Sequence, residues 1–221
     1  FYRGAIARDI VNAVTRAPRN PAVMTVGDLS SYVAKKRDPV CSIYRIWFLC
    51  GAPPPSSGGI ATLQILGLLE AHAVDKLAPG SLEAVHLIAE ASRLAYADRA
   101  RYVSDPDFVS VPVNRLIDPG YLAKRAALIS PTKSMGRAEA GVIEGQSSAF
   151  APASDERGIS TSHLSVVDAD GNAVAFTTSI ENVFGSRVMV RGFLLNNQLT
   201  DFAFVPLVRG KPALDRPEPG K

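Results

Sequence analysis

Ser160-Thr161-Ser162-His163-Leu164-Ser165-Val166-Val167-Asp168, then Ala169-Asp170-Gly171-Asn172, then Ala173 to Ile180: the reading of this stretch decides the fold. From Thr161 the period is two, with His163, Ser165 and Val167 on one side and Leu164, Val166 and Asp168 on the other. Asp170-Gly171-Asn172 carries the turn chemistry of a hairpin, so the second run returns alongside the first. Ser160, Thr161 and Ser162 compete for one role where the first strand begins, and the segment before them is small and polar. A cut here leaves a hydroxyl residue at a new amino terminus. Its own α-amine, with an unperturbed pKa of roughly 7.7 to 8, can take the hydroxyl proton near neutral pH. In the uncut chain that nitrogen is an amide and accepts nothing, so cleavage is the activating step. Most strand threonines simply open a strand, and the hairpin alone does not decide between the two readings.

Bulk properties narrow the field. A chain of 221 residues can bury a substantial core, and 47% hydrophobic with 20% charged residues is ordinary for a globular protein. The formal charge of +3 is too small and too scattered for a nucleic-acid surface. Cys41 and Cys50, nine apart, fit neither a redox pair nor a zinc site and are predicted to be two unpaired core thiols. No apolar run approaches membrane-spanning length. No His, Cys or carboxylate cluster has metal spacing, and no cofactor is expected. Phe1 falls inside a helical pattern and the last residues run Arg216-Pro217-Glu218-Pro219-Gly220-Lys221, so the chain reads as a fragment.

Along the chain, Ile6, Ile10 and Val14 mark an amphipathic helix over 4–16, and 25–32 predicts a second, short one. Tyr44 to Leu49 reads as a brief strand ending at a Pro-rich and Gly-rich corner. Ile60 to Ala71 is apolar nearly all round, which predicts a buried helix. Ser81 is placed to cap a long helix through Tyr102 whose inner stripe is expected to be Leu82, Val85, Ile88, Ala89 and Tyr96. After a turn-rich stretch, 121–129 is helical, and 130–159 has the composition of a mobile surface segment. Helices first and strands second, with paired strands buried on both faces, predicts a layered α/β (α+β) arrangement.

Three blocks occur in order: Pro53-Pro54-Pro55-Ser56-Ser57-Gly58-Gly59, the Thr161-Ser162-His163 and Ser165-Val166-Val167-Asp168 pair, and Leu194-Leu195-Asn196-Asn197-Gln198 with Asp201-Phe202. In these the chain resembles the gamma-glutamyltransferase (gamma-glutamyl transpeptidase) family of N-terminal-nucleophile hydrolases. The resemblance implies a four-layer αββα sandwich, incomplete in this fragment. Residues 1–159 then correspond to the C-terminal part of a large-subunit region, mainly helical, and 160–221 to the start of a small-subunit region. It also implies autocatalytic cleavage between Ser160 and Thr161, with Thr161 as nucleophile. His163 is expected to be structural. Ser179, 18 residues beyond Thr161, matches a hydroxyl held near the nucleophile. Glu181, Gln198 and Asp201 match positions that hold the α-amino group of a γ-glutamyl donor, where acceptors and negative charge suit an ammonium. Glu181 departs from the asparagine that many members carry. The loop between Gly185 and Leu194 is about two residues shorter than in bacterial transpeptidases. The Pro53–Gly59 corner lacks the lysine and spacing of a phosphate loop and is read as a rigid turn.

The activity so implied is γ-glutamyl transfer or hydrolysis on glutathione and related amides, with water or an amino-acid or peptide amine as acceptor. The partner implied is the rest of the chain's own precursor, as a heterodimer of large and small subunits. Two alternatives stand beside it: an acylase of the same fold acting on glutaryl or cephalosporin-like amides, and an unprocessed homologue without catalysis. In the family, an arginine gripping the donor carboxylate and the serines and glycines of the oxyanion site fall outside these 221 residues, so this polypeptide alone is expected to be inactive. Bacterial members are often periplasmic, but no residue here fixes the compartment.

Overall fold

The computed structural model describes residues 1–146, 150–153 and 161–218. In chain order its elements are α1 (Ala5–Thr15), α2 (Val26–Ser30), β1 (Val40–Tyr44), β2 (Trp47–Gly51), α3 (Gly58–Leu69), α4 (Leu82–Tyr102), α5 (Val113–Leu116) and α6 (Pro119–Ala126). Strands β3 (Ser162–Val167), β4 (Ala173–Thr178), β5 (Met189–Val190), β6 (Phe193–Leu194), β7 (Leu207–Val208) and β8 (Lys211–Pro212) follow, each pairing with its sequence neighbour in an antiparallel hairpin. Residues 1–36 and 161–202 form one compact unit; 37–146, 150–153 and 203–218 form the other. The expected boundary at 159/160 was drawn on chain processing, and packing partitions the chain differently.

In the second unit α3 is the centre. It buries Ile60, Leu63, Gln64, Leu68 and Leu69, as its all-round apolar sequence predicts. Leu68 and Leu69 pack with Leu87, Ala91 and Leu94 of α4 and with Leu122 and Ala126 of α6. The Pro53–Gly59 corner delivers the chain into α3 at close quarters: a Cβ on Gly59 would lie 2.3 Å from the Ala52 carbonyl oxygen. Only glycine fits there. The Ser81 hydroxyl accepts the Ala84 N–H at 3.2 Å and starts α4, as its position predicts.

The inner stripe of α4 is not the one expected. Leu82, Val85 and Tyr96 are 81%, 55% and 53% exposed, and Ile88 and Ala89 are exposed too. The buried face is Ala84, Leu87, Glu90, Ala91, Leu94, Ala95 and Asp98. Its two carboxylates interrupt the hydrophobic period and hide it. Each is buried because donors surround it. Asp98 accepts from Gln64 Nε2 at 3.1 Å, the Tyr121 hydroxyl at 2.7 Å, Arg125 Nη2 at 3.2 Å and the Gly141 N–H at 2.8 Å. Burial first, then the bond to Asp98, pushes the Tyr121 phenol well above its ordinary range. Glu90 accepts from the Met135 N–H at 2.7 Å, the Ser134 hydroxyl at 2.9 Å and Arg93 Nε at 3.1 Å.

The same bonds anchor residues 131–146, which form neither helix nor strand. Gly141 is tied again through its carbonyl, which accepts the Tyr102 hydroxyl at 2.6 Å, and Ile143 is 4% exposed in the core. Residues 147–149 and 154–159 of the expected mobile segment lie outside the described residues.

Two further expectations are corrected. The single strand at 44–49 is instead the β1–β2 hairpin, turning at Arg45-Ile46 with Arg45 at φ 54°. No Asn-Gly or Asp-Gly signals this turn in the sequence. Its register sets Cys41 directly opposite Cys50, and the two form a disulfide rather than a pair of core thiols. A separation of nine closes across a two-residue turn, which elimination of redox and zinc spacings could not reveal.

In the first unit, α1 buries Ala7 and Ile10, and Thr25 and Asp28 close a capping box at the start of α2. The β3–β4 hairpin turns where predicted, with Asp168 Oδ1 accepting the Asp170 N–H at 3.0 Å and the Asn172 N–H at 2.8 Å and Gly171 at φ 84°. Both strands are exposed along their whole length, so the expectation of burial on both faces is not met within this chain. Two strands cannot cover themselves.

Candidate active site

Thr161 immediately precedes β3 and is exposed. The last rung of the ladder pairs Ser162 with Thr178, and the same register carries Thr161 opposite Ser179. Residues opposed in an antiparallel pair project from one face, so the hydroxyl positions singled out in the sequence share a face at the open end of the hairpin. His163, two residues along on that face, is committed elsewhere. Its Nδ1 lies 2.7 Å from Thr177 Oγ1 across the ladder and its Nε2 lies 3.2 Å from Ser165 Oγ. Nδ1 thus ties the two strands together, while Nε2 is engaged within β3 itself. Ser160, the expected cleavage partner, lies outside the described residues.

Past Ser179 the chain turns sharply. The Ser179 hydroxyl accepts the Glu181 N–H at 2.9 Å, and Glu181 takes the left-handed conformation at φ 67°. This turn is sewn to the segment 196–201 by Asn197. Its N–H donates to the Ile180 carbonyl at 3.3 Å, and its Oδ1 accepts the Asn182 N–H at 3.0 Å. The intervening loop folds back at Gly185, where φ is 50° and a Cβ would lie 2.1 Å from the Leu195 carbonyl oxygen. The Asn196 Oδ1 accepts the Gln198 N–H at 3.1 Å and begins a single 3-10 turn, Gln198–Asp201. The asparagines thus hold the turn.

Glu181 and the turn carrying Gln198 and Asp201 meet through a residue the sequence reading missed. Thr200 donates its hydroxyl to Glu181 Oε1 and is itself held by Asn197, whose Nδ2 lies 3.3 Å and whose carbonyl lies 3.0 Å from Thr200 Oγ1. Gln198 Nε2 donates to Asp201 Oδ2 at 3.3 Å. Two oxygens are left over: Glu181 Oε2 and Gln198 Oε1 are both buried, with no hydrogen-bond partner among the described residues. Each is an acceptor, and leaving one unmet costs about 1–3 kcal/mol, more for a charged group. A group rich in N–H donors and positively charged matches both. Thr200 could have been suspected only as a small hydroxyl residue between Gln198 and Asp201.

Among the described residues no group of His, Cys, Asp and Glu could hold a metal ion, and no helix is long and apolar enough to cross a membrane.

A hairpin that follows directly on a hydroxyl residue and leads into a polar, hydrogen-bonded loop sits within an α+β architecture shared with N-terminal-nucleophile hydrolases of known structure. The family model for gamma-glutamyltranspeptidase matches residues 1–221, and the chain belongs to that family. The glutathione hydrolase proenzyme of Escherichia coli (strain K12) is 39% identical over 208 residues, covering 93% of this chain and 34% of that protein. Gamma-glutamyltranspeptidase from Helicobacter pylori aligns with a TM-score of 0.57 at 40% identity, over 62% of this chain and 38% of that one. Cephalosporin acylase from Bacillus halodurans aligns with a TM-score of 0.69 at 26% identity, over 98% of this chain and 39% of that one. The chain spans about a third of the length of the curated relatives it matches.

Proposed function

We propose that this chain is part of a γ-glutamyl transferase and hydrolase whose nucleophile is Thr161. In maturation the Thr161 hydroxyl attacks the Ser160 carbonyl, the acyl group moves from nitrogen to oxygen, and water opens the ester. The liberated α-amine then takes the hydroxyl proton as Thr161 attacks the γ-carbonyl of glutathione or a related amide. The amine leaves with a proton, and the acyl-enzyme is resolved by water or by an amino-acid or peptide amine. Ser179 sits beside the reacting hydroxyl. Glu181, Gln198 and Asp201 receive the donor's α-ammonium. The observation that carries this reading is the pair of unmet buried acceptors, Glu181 Oε2 and Gln198 Oε1, on the loop that begins at Ser179. The names of the glutathione hydrolase relatives agree with it. The remainder of the precursor completes the enzyme as a large and small subunit pair. The 221-residue polypeptide by itself should show negligible turnover, because its hairpin is uncovered on both faces.

The test compares a γ-glutamyl anilide with a glutaryl anilide, which lacks only the α-ammonium, on the full-length gene product. The γ-glutamyl compound should be strongly preferred, and Thr161→Ala should abolish both cleavage and turnover. Preference for the glutaryl compound would favour the second reading, an acylase of the same fold, which the alignment with cephalosporin acylase over 98% of the chain motivates. A single intact chain without activity after long incubation would instead mark an unprocessed homologue.

A further inference from the structure

We propose that Thr200 is the residue that positions the Glu181 carboxylate for the donor ammonium, and that the Glu181–Thr200 pair sets selectivity for donors bearing that group. The inference rests on the γ-glutamyl reading above and adds to it a residue that acts through another. A glutamate side chain on a left-handed turn residue has three rotatable bonds and no intrinsic reason to point at a substrate. Here one carboxylate oxygen, Oε1, is taken by the Thr200 hydroxyl, which fixes the plane of the group and turns Oε2 into the buried position where it has no partner. Thr200 is in turn held by Asn197, whose side-chain Nδ2 donates to the Thr200 hydroxyl oxygen, and Asn197 is bonded to Ile180 and Asn182 on either side of Glu181. The hydroxyl therefore transmits the placement of the 196–201 segment to the carboxylate. Gln198, two residues before Thr200 on the same 3-10 turn, presents its own unmet oxygen, so one turn sets both acceptors.

Replacing the hydroxyl by a methyl group of the same shape removes the restraint without changing the volume. The carboxylate then rotates or takes up water, and the ammonium loses a preplaced partner. Donors without an ammonium lose nothing.

The experiment is steady-state hydrolysis of the γ-glutamyl and glutaryl anilides by full-length wild type, Thr200→Val and Thr200→Ser, all confirmed by mass to have matured. Thr200→Val should raise KM for the γ-glutamyl anilide about tenfold with kcat little changed, since the bond is made equally in ground and transition states. The glutaryl anilide should be unaffected, and Thr200→Ser should restore wild-type KM. Equal losses on both donors, no loss on either, or failure of serine to rescue would overturn the positioning role while leaving the γ-glutamyl reading in place. Wild type that does not turn over the γ-glutamyl anilide overturns that reading and this inference with it. If Thr200→Val does not mature, Glu181→Gln supplies the second variant: it must show the same donor-selective rise in KM, and a rise on both donors counts against the proposal.

Discussion

Ser162 pairs with Thr178 on the last rung of the β3–β4 hairpin, and continuing that register by one position sets Thr161 opposite Ser179. The Ser179 hydroxyl also accepts the Glu181 N–H at 2.9 Å, so one side chain links the proposed nucleophile's neighbourhood to the donor loop. Removing it should disturb both. Ser179→Ala in the full-length protein is expected to slow the appearance of the two mature chains and to lower kcat, each by about tenfold to a hundredfold, in the range of a lost positioned hydroxyl. Time-resolved mass analysis and anilide turnover measure the two effects separately. Wild-type rates in both would remove Ser179 from the site.

Glu181 occupies a left-handed conformation, at φ 67°, that side chains other than asparagine and glycine rarely adopt. Such strain is retained where function requires the side chain. Glu181→Asn should therefore stabilise the protein by about 1 kcal/mol in denaturant unfolding while weakening use of the γ-glutamyl donor, because the charge facing the ammonium is gone. A variant that is both less stable and equally active would contradict this trade-off.

The Cys41–Cys50 bond closes the β1–β2 hairpin, which packs on α3. Crosslinking a loop of this length restrains the unfolded chain by about 2–3 kcal/mol. Protein purified without reductant should resist alkylation until denatured and reduced. The double variant Cys41→Ser, Cys50→Ser should unfold at lower denaturant by that amount. Rapid alkylation of the native protein by two equivalents of reagent would show that the thiols are unpaired.

What the sequence disclosed follows a physical rule. Elements whose signal is local were legible: the Asp170-Gly171 turn, the Ser81 cap and the all-apolar α3 each announce themselves within a few residues. The order of the three motif blocks led to the family. Features made by distant partners were not legible. The buried face of α4 carries Glu90 and Asp98, which look like solvent residues until Met135, Tyr121, Arg125 and Gly141 arrive to satisfy them. Thr200 looks like any loop threonine until Glu181 is brought against it. The exposed β3–β4 faces have the opposite cause: their apolar residues suit covering layers that this stretch of chain does not supply.

Glu90 gives a pH dependence whose sign can be worked out. Burial opposes its ionisation, but the Met135 N–H, the Ser134 hydroxyl and Arg93 outweigh burial and hold its carboxyl below the usual glutamate range. A depressed folded-state pKa means the unfolded chain binds the proton more readily. The stabilisation is complete above the unfolded value, roughly 4.3, and is lost as pH falls through the lower folded value. Glu90→Gln keeps the shape but not the charge. It should destabilise the full-length protein at pH 7, and the gap from wild type should close steadily below about pH 4 as the wild-type carboxylate takes up its proton. Urea unfolding at pH 7, 5 and 3.5 measures the gap. A difference that stays constant across that range would mean that the ionised form of Glu90 contributes nothing to holding residues 134–136 against α4.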